Sequence, residues 1–311
     1  MAFGLLLGLA TAVAAQPPAP QACPPEAKPL SAAQEQAGRR DARDRGFLWR
    51  IGRDDRFSYL YGTIHVARPQ WLFPGPQLVR ALAASDTLAL ELDVLDPDIQ
   101  RRLAAGMLAD PAERLPDALL GRLRAQLQAA CMPPTMAQLA PAVQLAALTT
   151  LAARRDGLDP AYAIDVFLAG TARAMGKPVV SLELPELQLA LLKGDPATVQ
   201  QMLEQGLEQL ERGQARPMLV RVAKVWADGR VDELGRYAQW CDCAQTEFDR
   251  AVLKRLLDDR NPQLAERIDA LHASGQRVFA AVGALHMVGP AGLPALLAQR
   301  GYTVQRIHFL R

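Results

Sequence analysis

Two histidines stand apart by the company they keep. In Tyr59-Leu60-Tyr61-Gly62-Thr63-Ile64-His65-Val66, a run of aromatic and β-branched residues ends in Gly-x-x-His. Near the other end of the chain, Val278–His286 repeats the pattern: an apolar run closes on Gly283-x-x-His286. The sequence has four His in all. Between the two lies Thr87–Leu95, in which Leu88, Leu90 and Leu92 alternate with Glu91 and Asp93. Alternation puts the leucines on one strand face and the carboxylates on the other. Carboxylates in so apolar a strand are costly to bury unless a cation meets them. Two His and one carboxylate with an open position suit a divalent ion, zinc or a harder one such as manganese. Such an ion acidifies water and polarises a carbonyl. Gly62 and Gly283 permit a tight turn or a close backbone approach. The bland alternative is two satisfied core histidines and a pair of solvated strand-end acids. The matched spacing together with Glu91 favours the metal reading, whereas His272 and His308 keep the bland one.

The elements that must position these groups read as an α/β fold. Phe47–Arg50 and Phe57–Val66 have strand composition and flank the polar turn Arg53–Arg56. A helix is expected over Pro76–Ala84 and a strand over Thr87–Leu95, an order that favours parallel neighbours. The middle, about residues 96–258, is helical in pattern and punctuated by proline, with expected helices over Ala161–Met175 and Thr198–Tyr237. A short strand, Lys177–Leu184, carries Glu183 near its end. The C-terminal part predicts a helix from Arg260-Asn261-Pro262, with Asn261 as N-cap, then the strand Arg277–Val282, a helix opened by Gly289-Pro290, and a strand over Tyr302–Phe309. The expected architecture is mixed α+β: a central, mostly parallel sheet built from the N- and C-terminal segments around a large helical middle. Both histidine turns then fall at carboxyl edges of strands, where ligand sites of open α/β sheets collect.

The amino terminus predicts export. Residues 1–15 read as a signal peptide ending in Val13-Ala14-Ala15, although it lacks Lys or Arg before the apolar run. Residues 16–46 are rich in Pro, Ala and charge and read as a linker or wrapped arm, followed by one domain over 47–311. The four cysteines, Cys23, Cys131, Cys241 and Cys243, suit two disulfides with three pairings open; any bridge from Cys23 would pin the arm. The net charge of +2, without a basic tract, argues against nucleic acid, and no apolar run in the mature region is long enough to span a bilayer. His-Glu-x-x-His, Gly-x-Ser-x-Gly and phosphate-loop patterns are absent.

The segments Leu60–His65, Leu90–Asp93, Arg260-Asn261 and Val282–Gly289 together resemble the TraB/GumN family, which groups with the Tiki proteins, and the resemblance spans Phe47 to Ile307. Val180–Glu183 and the preceding Asp165 also resemble family segments. The resemblance implies a divalent-metal-dependent protease of the periplasm or the exterior, with Mn, Co or Zn held by His65, Glu91 and His286. It makes Glu183 and Arg260 supporting or substrate-polarising groups. The substrate does not carry over from the family; the expected function of this exported chain is cleavage of a peptide or protein substrate in the cell envelope by metal-activated water, with Glu183 or Asp93 as base. The alternatives are an inactive envelope protein that binds a metal or small ligand in the same pocket, and a structural envelope protein.

Overall fold

A computed structural model of the chain describes residues 22–110 and 114–309. The expected signal peptide lies outside the described residues. Six strands form one sheet: β1 (Phe47–Arg53), β2 (Arg56–Thr63), β3 (Thr87–Leu90), β4 (Val179–Ser181), β5 (Val278–Gly283) and β6 (Thr303–Ile307), in the order β4-β3-β5-β2-β1-β6. The β4/β3, β3/β5 and β5/β2 pairs are parallel, while β1 pairs antiparallel with β2 and β6. This is the mixed, mostly parallel sheet built from the two ends of the chain. The β1–β2 hairpin turns through Asp54 and Asp55, both with positive φ, the left-handed geometry that matches the twist of a two-residue hairpin. β3 and β5 are buried on both faces, as their continuous apolar sequences require.

The helices follow as α1 (Ala32–Arg40), α2 (Pro76–Ala83), α3 (Pro97–Gly106), α4 (Asp117–Ala129), α5 (Pro141–Leu151), α6 (Ile164–Ala174), α7 (Pro185–Leu192), α8 (Pro196–Glu211), α9 (Ala215–Ala227), α10 (Val231–Leu234), α11 (Tyr237–Trp240), α12 (Glu247–Leu256), α13 (Asn261–Ala273) and α14 (Leu293–Gln299). Proline stands in the first turn of α2, α3, α5, α7, α8, α13 and α14, where its missing N–H costs nothing. The main core joins the sheet to α2, α6, α9, α13 and α14 through Leu82, Leu168, Trp226, Ile268 and Leu297. A second core, Leu123, Leu127, Leu145, Leu148, Leu203 and Leu207, binds α4, α5 and α8 into a helical unit of the middle region.

Residues 22–46 lie along the domain. Asp44 caps α2 by accepting from Gln77 and Leu78, Tyr162 exchanges hydrogen bonds with the Lys28 backbone, and Cys23 is bridged to Cys131. Cys241 and Cys243 form the second disulfide.

Three expected elements change. The strand expected over Thr87–Leu95 ends at Leu90, because the chain turns at Asp93, whose carbonyl accepts from Asp96, and Asp96 caps α3. The helix expected over Thr198–Tyr237 is four helices, broken at Gly213 and Gly229, both in the left-handed conformation that ends a helix, and a third time at Gly235-Arg236. The last long helix starts at Leu293, not at Gly289-Pro290.

Candidate functional site

Register decides where the chemistry gathers. Thr63 pairs with Gly283, Leu90 with Ala281, and Leu90 with Ser181, so β2, β5, β3 and β4 end nearly level. His65, His286, Glu91 and Glu183 come one to three residues past those ends and cross the carboxyl edge of the parallel part of the sheet. The β3/β4 pairing runs on for two more hydrogen bonds, Leu182 N to Leu90 O and Glu183 N to Glu91 O, and so sets Glu183 beside Glu91.

His65 is placed by its loop. Ile164 N donates to Ile64 O at 3.1 Å, and Ala67 bridges Asp159, which ties residues 64–67 to the start of α6. The next residue, Asp165, then meets the ring: Oδ2 is 3.3 Å from His65 Nδ1, leaving Nε2 for the cleft. His286 sits in a 3-10 turn, 3% exposed. Its Nδ1 is 2.6 Å from Asn261 Oδ1, while Asn261 Nδ2 donates to Ala291 O. The Asn261 amide is thereby oriented, and the imidazole proton belongs on Nδ1 with the Nε2 lone pair free to accept. Asn261 is thus not the N-cap of α13, a position held by Arg260; its side chain orients a site residue instead.

Arg260 ties the acids together. Its Nε donates to Glu183 Oε1 at 2.9 Å and Nη2 to Glu91 Oε2 at 2.6 Å, with a further Nη2 bond to Glu183 Oε2. Its Nη1 lies 3.0 Å from Leu256 O and 3.2 Å from His286 Nε2. Gly283 N donates to Glu91 Oε1 at 2.7 Å, and Gln188 spans Glu91 and Glu183. A Cβ on Gly283 would crowd the carboxylate, 3.1 Å from Glu91 Oε1, and would stand in contact with both rings, 3.6 Å from His286 Cδ2 and 3.7 Å from His65 Nε2. Those three distances also locate the site, since the space beside the Gly283 backbone has both imidazoles and the carboxylate around it. Asp93 leaves the group. It pairs with Arg173, and neither expected base lines the cleft: Glu183 lies behind Arg260, bound to it through both oxygens, with its side chain 2% exposed.

The electrostatics follow the contacts. The Asp165 charge raises the His65 pKa to about 9, with help from Glu91, although the His65 side chain is 60% exposed and solvent weakens both contacts. Burial would raise Glu91, but the charges of His286, His65 and Arg260 and the Gly283 N–H outweigh it and hold the acid at about 2. Burial keeps His286 below its ordinary value despite Glu91. Burial opposes the Arg260 charge, yet Glu183 and Glu91 push its pKa up.

The residues fit a divalent ion in donor chemistry. Each imidazole gives Nδ1 to an oxygen acceptor, the arrangement that orients ligating histidines. Near His65, the buried Asp165 Oδ1 and Thr63 Oγ1 have no hydrogen-bond partner among the described residues. Against this, Arg260 occupies Glu91 Oε2 and His286 Nε2, and among the described residues no three His, Cys, Asp or Glu side chains already converge as a metal cage. The ligands would close on an ion only as Arg260 withdraws from them.

Above the polar floor is a cleft of about 520 Å³, walled by Ile64, Met218, Leu219, Val222, Tyr237 and Leu285 among others, with the Cys241–Cys243 bridge on one side. Asp165, Asn261 and Gln188 complete the site. Sequence reasoning placed Asp165 only by resemblance, read Asn261 as a cap and passed over Gln188; no local pattern marks them.

A mostly parallel sheet with paired Gly-x-x-His turns and two glutamates at its carboxyl edge, roofed by helices, defines the class. The chain belongs to the TraB/PrgY/gumN family, whose model matches residues 47–306. It is 28% identical over 247 residues to "Uncharacterized protein YbaP" of Shigella flexneri, covering 78% of this chain and 88% of that one, and equally similar to YbaP of Escherichia coli K12. No solved structure matches.

Proposed function

We propose that the protein is an exported, metal-dependent hydrolase of amide bonds, peptidase-like in action. The observation that supports this most is the gathering of His65, Glu91 and His286 around Gly283, at the floor of a cleft large enough for a peptide segment. These three residues would hold the ion, which supplies Lewis acidity to water and carbonyl when bound. The chain's own groups do the rest. Asp165 and Asn261 fix the two rings. Glu183, itself held by a hydrogen bond from Gln188, binds the Arg260 guanidinium, a permanent cation near the position where a carbonyl oxygen gains charge. The apolar walls exclude water and favour an apolar residue beside the cleaved bond, because a charged one would be desolvated there unpaired. Export accords with the disulfides, and no helix of the described residues is long and apolar enough to cross a membrane.

The full hydrogen bonding of both Glu91 oxygens favours a second reading, a pocket that binds a metal or small ligand without turnover. Metal analysis and a peptide-library digest with added Mn, Co or Zn separate the two. The hydrolase reading expects cleavage by the wild type and its loss in His286→Ala; equal cleavage by both overturns it.

A further inference from the structure

One guanidinium holds two of the atoms that the proposed ion needs. Arg260 Nη2 is 2.6 Å from Glu91 Oε2 and Nη1 is 3.2 Å from His286 Nε2. The same side chain is anchored from behind by Glu183, through Nε and Nη2, and by the Leu256 carbonyl. Its side chain is 15% exposed, and those of Glu91 and Glu183 are 10% and 2% exposed. Two buried carboxylates without a cation would each carry a large desolvation cost. Arg260 removes that cost in the metal-free protein.

We propose that Arg260 is a resident counter-cation that stands in for the divalent ion and is exchanged for it, keeping Glu183 while giving up Glu91 and His286. This rests on the metal reading above and adds a regulation of the same site. The physical reason is charge. A +1 guanidinium and a +2 ion cannot share Glu91 Oε2 and the His286 lone pair, and within a few ångströms they repel. Glu183 provides the resting place, because it already binds Arg260 through both oxygens and needs no help from Glu91 to do so. The metal-free fold is therefore complete in itself, and ion affinity is set by the difference between the Arg260 contacts and the ion contacts. Arg260 acts here as a positioning residue.

The test is a competition titration of Mn and Zn against a fluorescent chelator, with the full exported chain in wild-type, Arg260→Gln and Arg260→Lys forms, together with thermal melting with and without the ion. The proposal expects Arg260→Gln to bind roughly tenfold tighter or more, since one nearby positive charge is gone. It also expects a larger rise in melting temperature on adding the ion than in wild type, because two acids then lack a partner. Arg260→Lys keeps the charge on a shorter, single-headed group and should fall between. Equal or weaker binding by Arg260→Gln overturns the proposal and makes Arg260 a support for the ligands. Binding by none of the three, with all three folded, overturns the metal reading itself and the proposal with it. If Arg260→Gln does not fold without the ion, Arg260→Lys decides: affinity at or below wild type overturns the proposal.

Discussion

Asn261 Oδ1 lies 2.6 Å from His286 Nδ1, and both residues are buried. The amide is held in turn by Ala291 O, so a residue in the first turn of α13 fixes the tautomer of an imidazole at the end of β5. Asn261→Ala leaves Nδ1–H buried and unpaired and lets the ring turn. The expected result is a loss of about 10–100-fold in ion affinity or activity, the scale for ligand-orienting partners. Stability should fall by about 1–3 kcal/mol, the cost of an unpaired buried donor. A metal titration and a denaturant melt read the two effects, and wild-type affinity in a folded variant would contradict the assignment.

The Asp165 charge is the main cause that raises the His65 pKa, towards about 9. Removing its charge in Asp165→Asn keeps an oxygen acceptor but drops the His65 pKa towards the ordinary value of about 6.5. Histidine NMR titration of metal-free protein checks this. A His65 pKa still near 9 in the variant would mean that Glu91, not Asp165, sets it.

His272 makes a pH prediction away from the site. It is fully buried, 2.8 Å from Ser58 Oγ, and burial holds its pKa below the ordinary value, with the Arg53 carbonyl opposing. The folded state therefore takes up its proton less readily than the unfolded chain. Stability from this group is complete above about pH 6.5 and declines as pH falls below it. Urea unfolding at pH 7.5 and at pH 5 should show a smaller drop for His272→Gln than for wild type. His286 is shifted in the same direction, so some slope remains. An unchanged slope removes His272 from the account.

The Cys23–Cys131 bridge joins residues 108 apart and holds the N-terminal segment to the end of α4. Cys131→Ser should lower stability by about 2–4 kcal/mol, in the usual range for a native disulfide. Limited proteolysis should cut first within residues 22–46. Wild-type protease resistance would show that Asp44 and Tyr162 hold the segment without the bridge.

The two histidines and Glu91 could be read from sequence because each interrupts an apolar strand pattern at its end, a local event. Glu183 and Arg260 needed the family resemblance, since a Glu after a short strand and an Arg before Asn-Pro are ordinary. Asp165 and Asn261 acquire their roles only through long-range bonds, from Ile64 O to Ile164 N and from Ala291 O to Asn261 Nδ2. The sheet was legible from apolar runs. The helix breaks were not, because glycine alone is ambiguous: Gly206 lies inside α8 packed on Leu145, while Gly213 and Gly229 end helices in the left-handed conformation. Asp93 misled for a related reason. Strand alternation put it beside Glu91, but the chain leaves the sheet between them and Arg173 claims it.

The central claim is that His65 and His286 serve one ion with Glu91. The most direct test is the visible spectrum of cobalt-loaded protein, in which the d–d bands report the ligands themselves. The account predicts one bound cobalt in wild type, and bands that are lost or strongly changed in His65→Ala and in His286→Ala alike. Bands that persist unaltered when either histidine is removed, or wild-type protein with no bound cobalt, would contradict it.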